Sequence, residues 1–370
     1  MRYKVLLSIR SLNTGGAERQ FIELVKNIDK NKFDVYVVSM YGGEFEGVIK
    51  NIKEVKYFNL EKGGRYDLKI FFKYKKLLNE IKPDVIYSFL GEMNLFSAWC
   101  KPKNTKLIWG FRASNMDFKN YGKVSEFLFN LQKYFIKKVD KIITNSYAAI
   151  EFHKSCGFDM KNAVVIHNGI DINRFKRDEI KREKFRKKYN LNDEDIAIGI
   201  AARIDVMKGY PIFSKAIKNI LQKYPNIKVF AVGDGDLKIK KKCEYILGEF
   251  NNKSFLWLGK IKEVENIYSG LDLYVSSSIF GEGFSNSIAE AMSCEVPCVV
   301  TDVGDSKIIV DNLGEVVKPN SVEDLQKGIE NMLNKDLKIL GRKCRERIIN
   351  NFSIEKMVKK TESEIIKCVE

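Results

Sequence analysis

The sequence predicts two doubly wound α/β domains in tandem, each a parallel sheet with helices on both faces. Three observations carry this. Short apolar runs alternate with longer amphipathic stretches, the pattern of strands buried on both faces and joined by helices. The alternation starts again after a highly charged stretch at residues 174–195. At 370 residues, the chain also exceeds the size at which one hydrophobic core stops growing.

The first domain is expected to carry strands over 4–9, 34–39, 85–89, 106–109, 141–145 and 163–167, and the second over 196–201, 228–232, 254–258, 272–276 and 297–301. Within "VIHNGIDINRF", Asn168-Gly169 follows a strand and reads as turn chemistry, so the hinge is placed there. The expected division is 1–168, 169–352 and a last helix, 353–370, which could pack back on the first domain or on the second. In open α/β sheets ligands bind beyond the carboxyl ends of the strands, and two such sheets leave a cleft between them for the site.

Composition narrows the function classes. Hydrophobic residues make up 45%, charged residues 30%, and prolines number six, which is globular rather than disordered. In "MRYKVLLSIRSL" the apolar stretch is too short for a signal sequence and reads as a first strand. No apolar run approaches the roughly 18–20 residues that span a bilayer, so a cytoplasmic protein is expected. Seven cysteines without a CxxC pair point to reduced thiols rather than a disulfide framework or zinc site. The net charge of +16 is uneven: residues 1–170 hold 29 Lys+Arg against 17 Asp+Glu, hence +12, and the remainder 35 against 31, hence +4. The first domain therefore seeks an anionic partner: nucleic acid, an anionic membrane surface or a phosphorylated substrate.

Four stretches could carry chemistry. "NTGGAE", residues 13–18, lies between a strand and a helical pattern; Gly15 and Gly16 would let backbone approach a phosphate at a helix amino end, although a plain tight turn uses the same glycines. "AARIDVMKGY" places Arg203 and Lys208 past a strand, a fork and a point charge able to neutralise a diphosphate; a solvated surface pair is the alternative. "VFAVGDGD" offers Asp234 and Asp236, which read as turn residues after a strand rather than metal ligands. "IFGEGFSNSIAEAMSCEVPCVV" sets Glu282 in a glycine turn and Glu290 inside a helix that Ser285 would cap. Carboxylates accept hydrogen bonds from pairs of hydroxyls, so these two could grip the two sugars of a nucleotide sugar, with the helix end facing the diphosphate.

Taken in order, "GGAER", "VIHNGID", Arg203 with Lys208, "VGDGD" and the Glu-x7-Glu of "EGFSNSIAEAMSCEVPCVVTDVGD" resemble glycosyltransferase family 4, retaining enzymes of GT-B fold. The resemblance implies that Glu282 contacts the donor sugar and Glu290 the ribose. It further implies that Arg203 and Lys208 bind the diphosphate and that backbone from Gly283 through Phe284 and Ser285 to Asn286 cradles phosphate and sugar. Gly16 would approach the phosphate, and the base would sit near Gly233, Asp234 and Ile261. No cofactor and no metal are implied. Same-face attack through an oxocarbenium-like transition state is expected, with Glu282, Arg203 and Lys208 at the reacting centre.

The sequence departs from the family pattern in three places. Some members place a histidine in the middle of the first domain, where "IWGFRASNMD" has none; Arg112, Ser114 and Asn115 are the polar residues there, and Arg112, Asn115 and Asn13 are expected to contact the acceptor. Glu295 stands where glycine is usual, and Ile308 where an acid often precedes Ile-Val.

Relatives with such openings resemble enzymes that extend polyprenyl-diphosphate-linked saccharides with sugars from UDP donors. That implies a lipid-linked saccharide acceptor and a peripheral position on the inner face of the cell membrane. Leu128, Leu131, Phe135 and Ile136 with Lys133, Lys137 and Lys138 could form a basic amphipathic helix on such a surface, or pack into the core. An epimerase or hydrolase of the same fold, acting on the nucleotide sugar alone, is the rival reading. A dinucleotide-dependent oxidoreductase would need Gly-x-Gly-x-x-Gly, which "NTGGAER" lacks, and no nucleic-acid-binding module is recognisable.

Overall fold

The computed structural model describes residues 2–370 apart from Thr14, Arg65, Tyr66, Leu68 and 113–122. It divides into two compact units, Met1–Gly169 with Ile354–Glu370, and Ile170–Ser353.

In the first unit the described residues form a seven-stranded sheet of parallel strands: β1 (Tyr3–Ile9), β2 (Phe33–Ser39), β3 (Val55–Asn59), β4 (Val85–Phe89), β5 (Lys106–Phe111), β6 (Lys141–Thr144) and β7 (Ala163–Val165), in the order β3-β2-β1-β4-β5-β6-β7. Val5 stands opposite Val35 on one side and Val85 on the other, and β4 is buried along its whole length, as a strand covered on both faces must be. β3 was not among the expected strands. Its sequence VKYFN is only half-buried at the sheet edge, so it lacks the continuous apolar run of the central strands.

The last helix, Ile354–Val369, packs against the helix Gly16–Asn27 and against β4 and β5. Its Met357, Val358 and Ile365 share a core with Phe21, Ile22 and Val25. Glu362 accepts from the backbone N–H of Asp29 at 2.7 Å, and Glu364 pairs with Lys141 at 2.7 Å. Asn168-Gly169 forms no turn, and the φ of Gly169 is not positive. A Cβ there would lie 2.6 Å from the Cα of Ile354, so close packing of the returning chain requires the glycine.

The helix Lys123–Phe135 falls between the two readings given for its apolar stripe. Ile136 just beyond it is buried, and Leu128, Leu131 and Phe135 are half-buried. This stripe is thus neither sealed into the core nor fully exposed, and the exposed apolar residues of this helix are Val124, Phe127 and Tyr134.

In the second unit the described residues form a six-stranded parallel sheet: β8 (Ile196–Ala201), β9 (Ile227–Val232), β10 (Phe255–Gly259), β11 (Leu273–Ser276), β12 (Cys298–Thr301) and β13 (Glu315–Val317), in the order β10-β9-β8-β11-β12-β13. β13, three half-buried residues at an edge, also escaped the sequence reading. Strand order reverses between β8 and β11, and in sheets of this kind the loops at the carboxyl ends flanking such a reversal hold the ligand. The loop after β8 carries Arg203 and Lys208; the loop after β11 carries Glu282.

Candidate functional site

Within the second unit the motif loops are tied to one another by backbone. The loop after β8 joins the loop after β11 through Ile279 N–H to Met207 O at 2.8 Å and Ser277 Oγ to Lys208 O at 2.8 Å. Gly209 makes this approach possible: its φ is +63°, and a Cβ would stand 2.1 Å from Ser277 O. The loop after β9 is stitched to the loop after β8 by Ile204 N–H to Asp234 O at 3.0 Å and Asp236 N–H to Ile204 O at 2.8 Å. Gly233, at φ +135°, would drive a Cβ to 1.9 Å from Ala202 O. The fourth loop is held by Asp305 N–H to Gly283 O at 2.9 Å.

This framework brings Lys208 and Glu282 into contact. Lys208 Nζ donates to Glu282 Oε1, and Ser278 Oγ donates to the same oxygen at 2.7 Å. Glu282 is 9% exposed, so the pair is largely removed from water, where charge-assisted bonds are strong. Ser278 is itself fixed, because its carbonyl accepts from Thr301 Oγ1 at 2.6 Å. Arg203 takes a different place: its side chain is 73% exposed and bonds Asp205 Oδ2 at 2.7 Å. Asp205 also accepts from the backbone N–H of Lys208 at 3.2 Å, so one carboxylate shapes both cationic residues.

Ser285 caps the helix Asn286–Ser293 by backbone geometry without a side-chain cap bond; its Oγ lies 3.3 Å from Ser287 Oγ. The Phe284 side chain is buried beside Phe352, with ring centroids 5.4 Å apart, which leaves its backbone rather than its ring for a ligand. Glu290 lies inside this helix and accepts from Tyr268 OH at 3.4 Å. Burial, reinforced by the charge of Glu290, holds Tyr268 well above the ordinary phenol range, so it remains a donor. Ile261 is half-buried against the core. Asp234 accepts from Gly235 N–H at 2.9 Å, and Asp236 caps the helix Leu237–Leu247 through Lys238 and Ile239 N–H; both serve the turn. Among the described residues no group of three His, Cys, Asp or Glu side chains is arranged to hold a metal ion.

The first-unit residues are placed as follows. Gly16 begins the helix Gly16–Asn27 and is exposed, as is Asn13. Arg112 extends from the end of β5, donates to Tyr87 OH at 2.8 Å and to Asn168 Oδ1 at 3.4 Å, and stacks 4.7 Å from the Phe89 ring centroid. Asn115 and Ser114 lie outside the described residues. Gln20 was missed by the sequence reading: its side-chain amide bonds both the N–H and the C=O of Gly169, at 2.8 and 2.9 Å. Also missed were Ser278, Asp205 and Tyr268. Only Ser278 left a trace, as the last of the serine run Ser276–Ser278.

Residues 14–174 match the family described as Glycosyltransferase Family 4, and residues 181–352 match that described as Glycosyl transferases group 1. The chain is 28% identical over 201 residues, 53% of this chain and 52% of the other, to an Escherichia coli UDP-Gal:alpha-D-GlcNAc-diphosphoundecaprenol alpha-1,3-galactosyltransferase. It is 24% identical over 353 residues, 90% of this chain and 91% of the other, to a Campylobacter jejuni N-acetylgalactosamine-N,N'-diacetylbacillosaminyl-diphospho-undecaprenol 4-alpha-N-acetylgalactosaminyltransferase. The crystal structure of Anabaena HepE in complex with UDP superposes with a TM-score of 0.83 at 19% identity, covering 98% of this chain and 100% of that one. With two family matches that together take in most of the sequence, on two Rossmann-like parallel sheets, the chain belongs to the glycosyltransferases of family 4 type and GT-B fold.

Proposed function

We propose that this glycosyltransferase moves a sugar, with retention of configuration and without a metal ion, from a UDP-sugar to a polyprenyl-diphosphate-linked saccharide in surface glycan assembly. The observation that carries the donor side is the buried Lys208–Glu282 pair at the strand-order reversal of the second unit. Each group holds the other in position until a ligand takes both: the diphosphate draws Lys208, and sugar hydroxyls replace Ser278 and Lys208 as donors to Glu282. Arg203, exposed on the same loop, supplies the second cation. Glu290, steadied by Tyr268, is assigned to the ribose hydroxyls, and the amino end of the helix Asn286–Ser293 to a phosphate. The glycosidic C–O bond to phosphate breaks as the acceptor oxygen bonds the same carbon from the same face. The acceptor hydroxyl proton passes to the departing phosphate oxygen, and the cationic loop stabilises the charge that develops there.

The acceptor class draws on the E. coli and C. jejuni relatives, whose names specify diphosphoundecaprenol-linked saccharides, and the nucleotide on the UDP held by HepE. Among the described residues no helix is long and apolar enough to cross a membrane, and the lipid would be met at the inner surface. A thermal-shift panel of UDP-, GDP- and ADP-sugars in EDTA tests the donor: a shift with UDP-sugars alone is expected, and a shift that needs added metal overturns the metal-free part. Product analysis with and without acceptor separates transfer from epimerisation or hydrolysis.

A further inference from the structure

A cavity of about 970 Å3 opens in the first unit, at the upper end of the roughly 300–1,000 Å3 usual for small-molecule sites. Its two ends differ in chemistry. At the carboxyl ends of the strands it is lined by Arg10, Lys62 and Arg112 with the carboxylates of Glu92 and Asp67, an excess of positive charge. Glu92 bridges Arg10 at 2.7 Å and Lys62 at 2.8 Å. Burial alone would lower the pKa of Lys62, but its bonds to Glu92 and the Tyr41 hydroxyl outweigh that and raise it, so the ammonium persists. Toward the helices the lining turns apolar: Phe71, Leu95, Phe96, Trp99, Leu128 and Leu131. Phe71 stacks on Phe96 with centroids 4.2 Å apart, and Trp99, still 61% exposed, meets Phe71 edge-on at 5.1 Å.

Two lining groups have unmet hydrogen-bonding capacity: Arg112 Nε and Gln132 Oε1 are buried without a partner among the described residues, and Gln132 is only 5% exposed. Leaving a buried polar atom unpaired is unfavourable, a penalty that a ligand bearing both donors and acceptors removes. A sugar alone would need polar groups along the whole site, whereas aromatic and leucine side chains make up most of this lining toward the helices, Ser125 and Gln132 aside.

We propose that this cavity binds the diphosphate and the first isoprene units of the lipid-linked acceptor, the diphosphate at Arg10, Lys62 and Arg112 and the chain along the aromatic and leucine lining. The assignment rests on the acceptor class proposed above. It makes the enzyme a reader of the lipid as well as of the saccharide.

The test uses the full chain with farnesyl diphosphate as probe, against inorganic diphosphate and farnesol, read by tryptophan fluorescence. Farnesyl diphosphate is expected to bind at least tenfold more tightly than either fragment. Arg10→Glu, at an exposed position, and Leu128→Trp, which fills the apolar end, should each weaken it about tenfold while melting temperature and UDP binding stay as in the wild type. Equal affinity for farnesyl diphosphate and inorganic diphosphate overturns the proposal, as does unchanged binding in Arg10→Glu; that variant decides alone if Leu128→Trp melts early. A transfer assay keeps the two readings apart. Wild-type enzyme that glycosylates free saccharides as fast as lipid-diphosphate-linked ones overturns the acceptor class, whereas lost probe selectivity with intact lipid-linked transfer overturns the cavity alone.

Discussion

A single carboxylate, Glu282, concentrates the second-unit site, because it is nearly buried and takes donors from both Lys208 and Ser278. Glu282→Ala is expected to cut transfer by about a hundredfold or more, the scale of losing one charge-stabilising contact, with UDP binding retained; steady-state kinetics beside UDP titration checks the split. Glu290→Ala should instead weaken UDP about tenfold, or about 1.4 kcal/mol, measured by calorimetry. The glutamate spacing and the basic loop were legible in the sequence because each lies at the carboxyl end of an apolar run. The partners Ser278, Asp205 and Tyr268 were not, since nothing local tells a buttressing serine or aspartate from a turn residue. His153 adds a pH effect. It is buried against Phe111, 4.2 Å between centroids, and its Nδ1 bonds Ala149 O at 2.7 Å. Burial holds its pKa below the ordinary 6.5, with the backbone bond opposing. The unfolded chain therefore binds the proton more readily, so its contribution to stability is complete above about pH 6.5 and is lost as pH falls through the folded value. Thermal melts across pH 5–7.5 should show this decline in the wild type and a shallower one in His153→Phe.

Loops rather than strands carry the strain. Gly209 and Gly233 sit at positive φ where a Cβ would meet a carbonyl oxygen at 2.1 or 1.9 Å, and each lets one motif loop lie on another. Either alanine substitution is expected to cost roughly 2 kcal/mol or more, from the left-handed backbone plus displacement of the neighbouring loop, read by denaturant unfolding. The central strands were legible because burial on both faces leaves continuous apolar runs. Of the edge strands, β7 and β10 were legible but β3 and β13 were not, because VKYFN is broken by Lys56 and EVV is only three residues long. The helix Lys123–Phe135 shows a different limit: its apolar residues other than Phe129 share one face, and only packing decides that Leu128 and Leu131 are half-buried while Phe127 and Tyr134 stay exposed, 63% and 75%.

Over the whole molecule, the excess charge of the first half coincides with exposed aromatic side chains on the first unit, Phe72 at 78%, Trp99 at 61% and those of the helix Lys123–Phe135. Aromatic rings and lysines together favour an anionic lipid interface. The protein should sediment with anionic vesicles at low salt and be released by salt; equal binding to neutral vesicles would refute the electrostatic component.

The chain leaves the first unit after Gly169 and re-enters it at Ile354, and these two residues touch, while on the other side Ile170 pairs with Ser353. The second unit is thus an insert whose entrance and exit are neighbours, so exchanging residues 170–353 for another such unit is expected to leave the first unit's fold intact, checked by melting the chimera. Under the proposed function, such a chimera would carry the donor choice of the grafted unit.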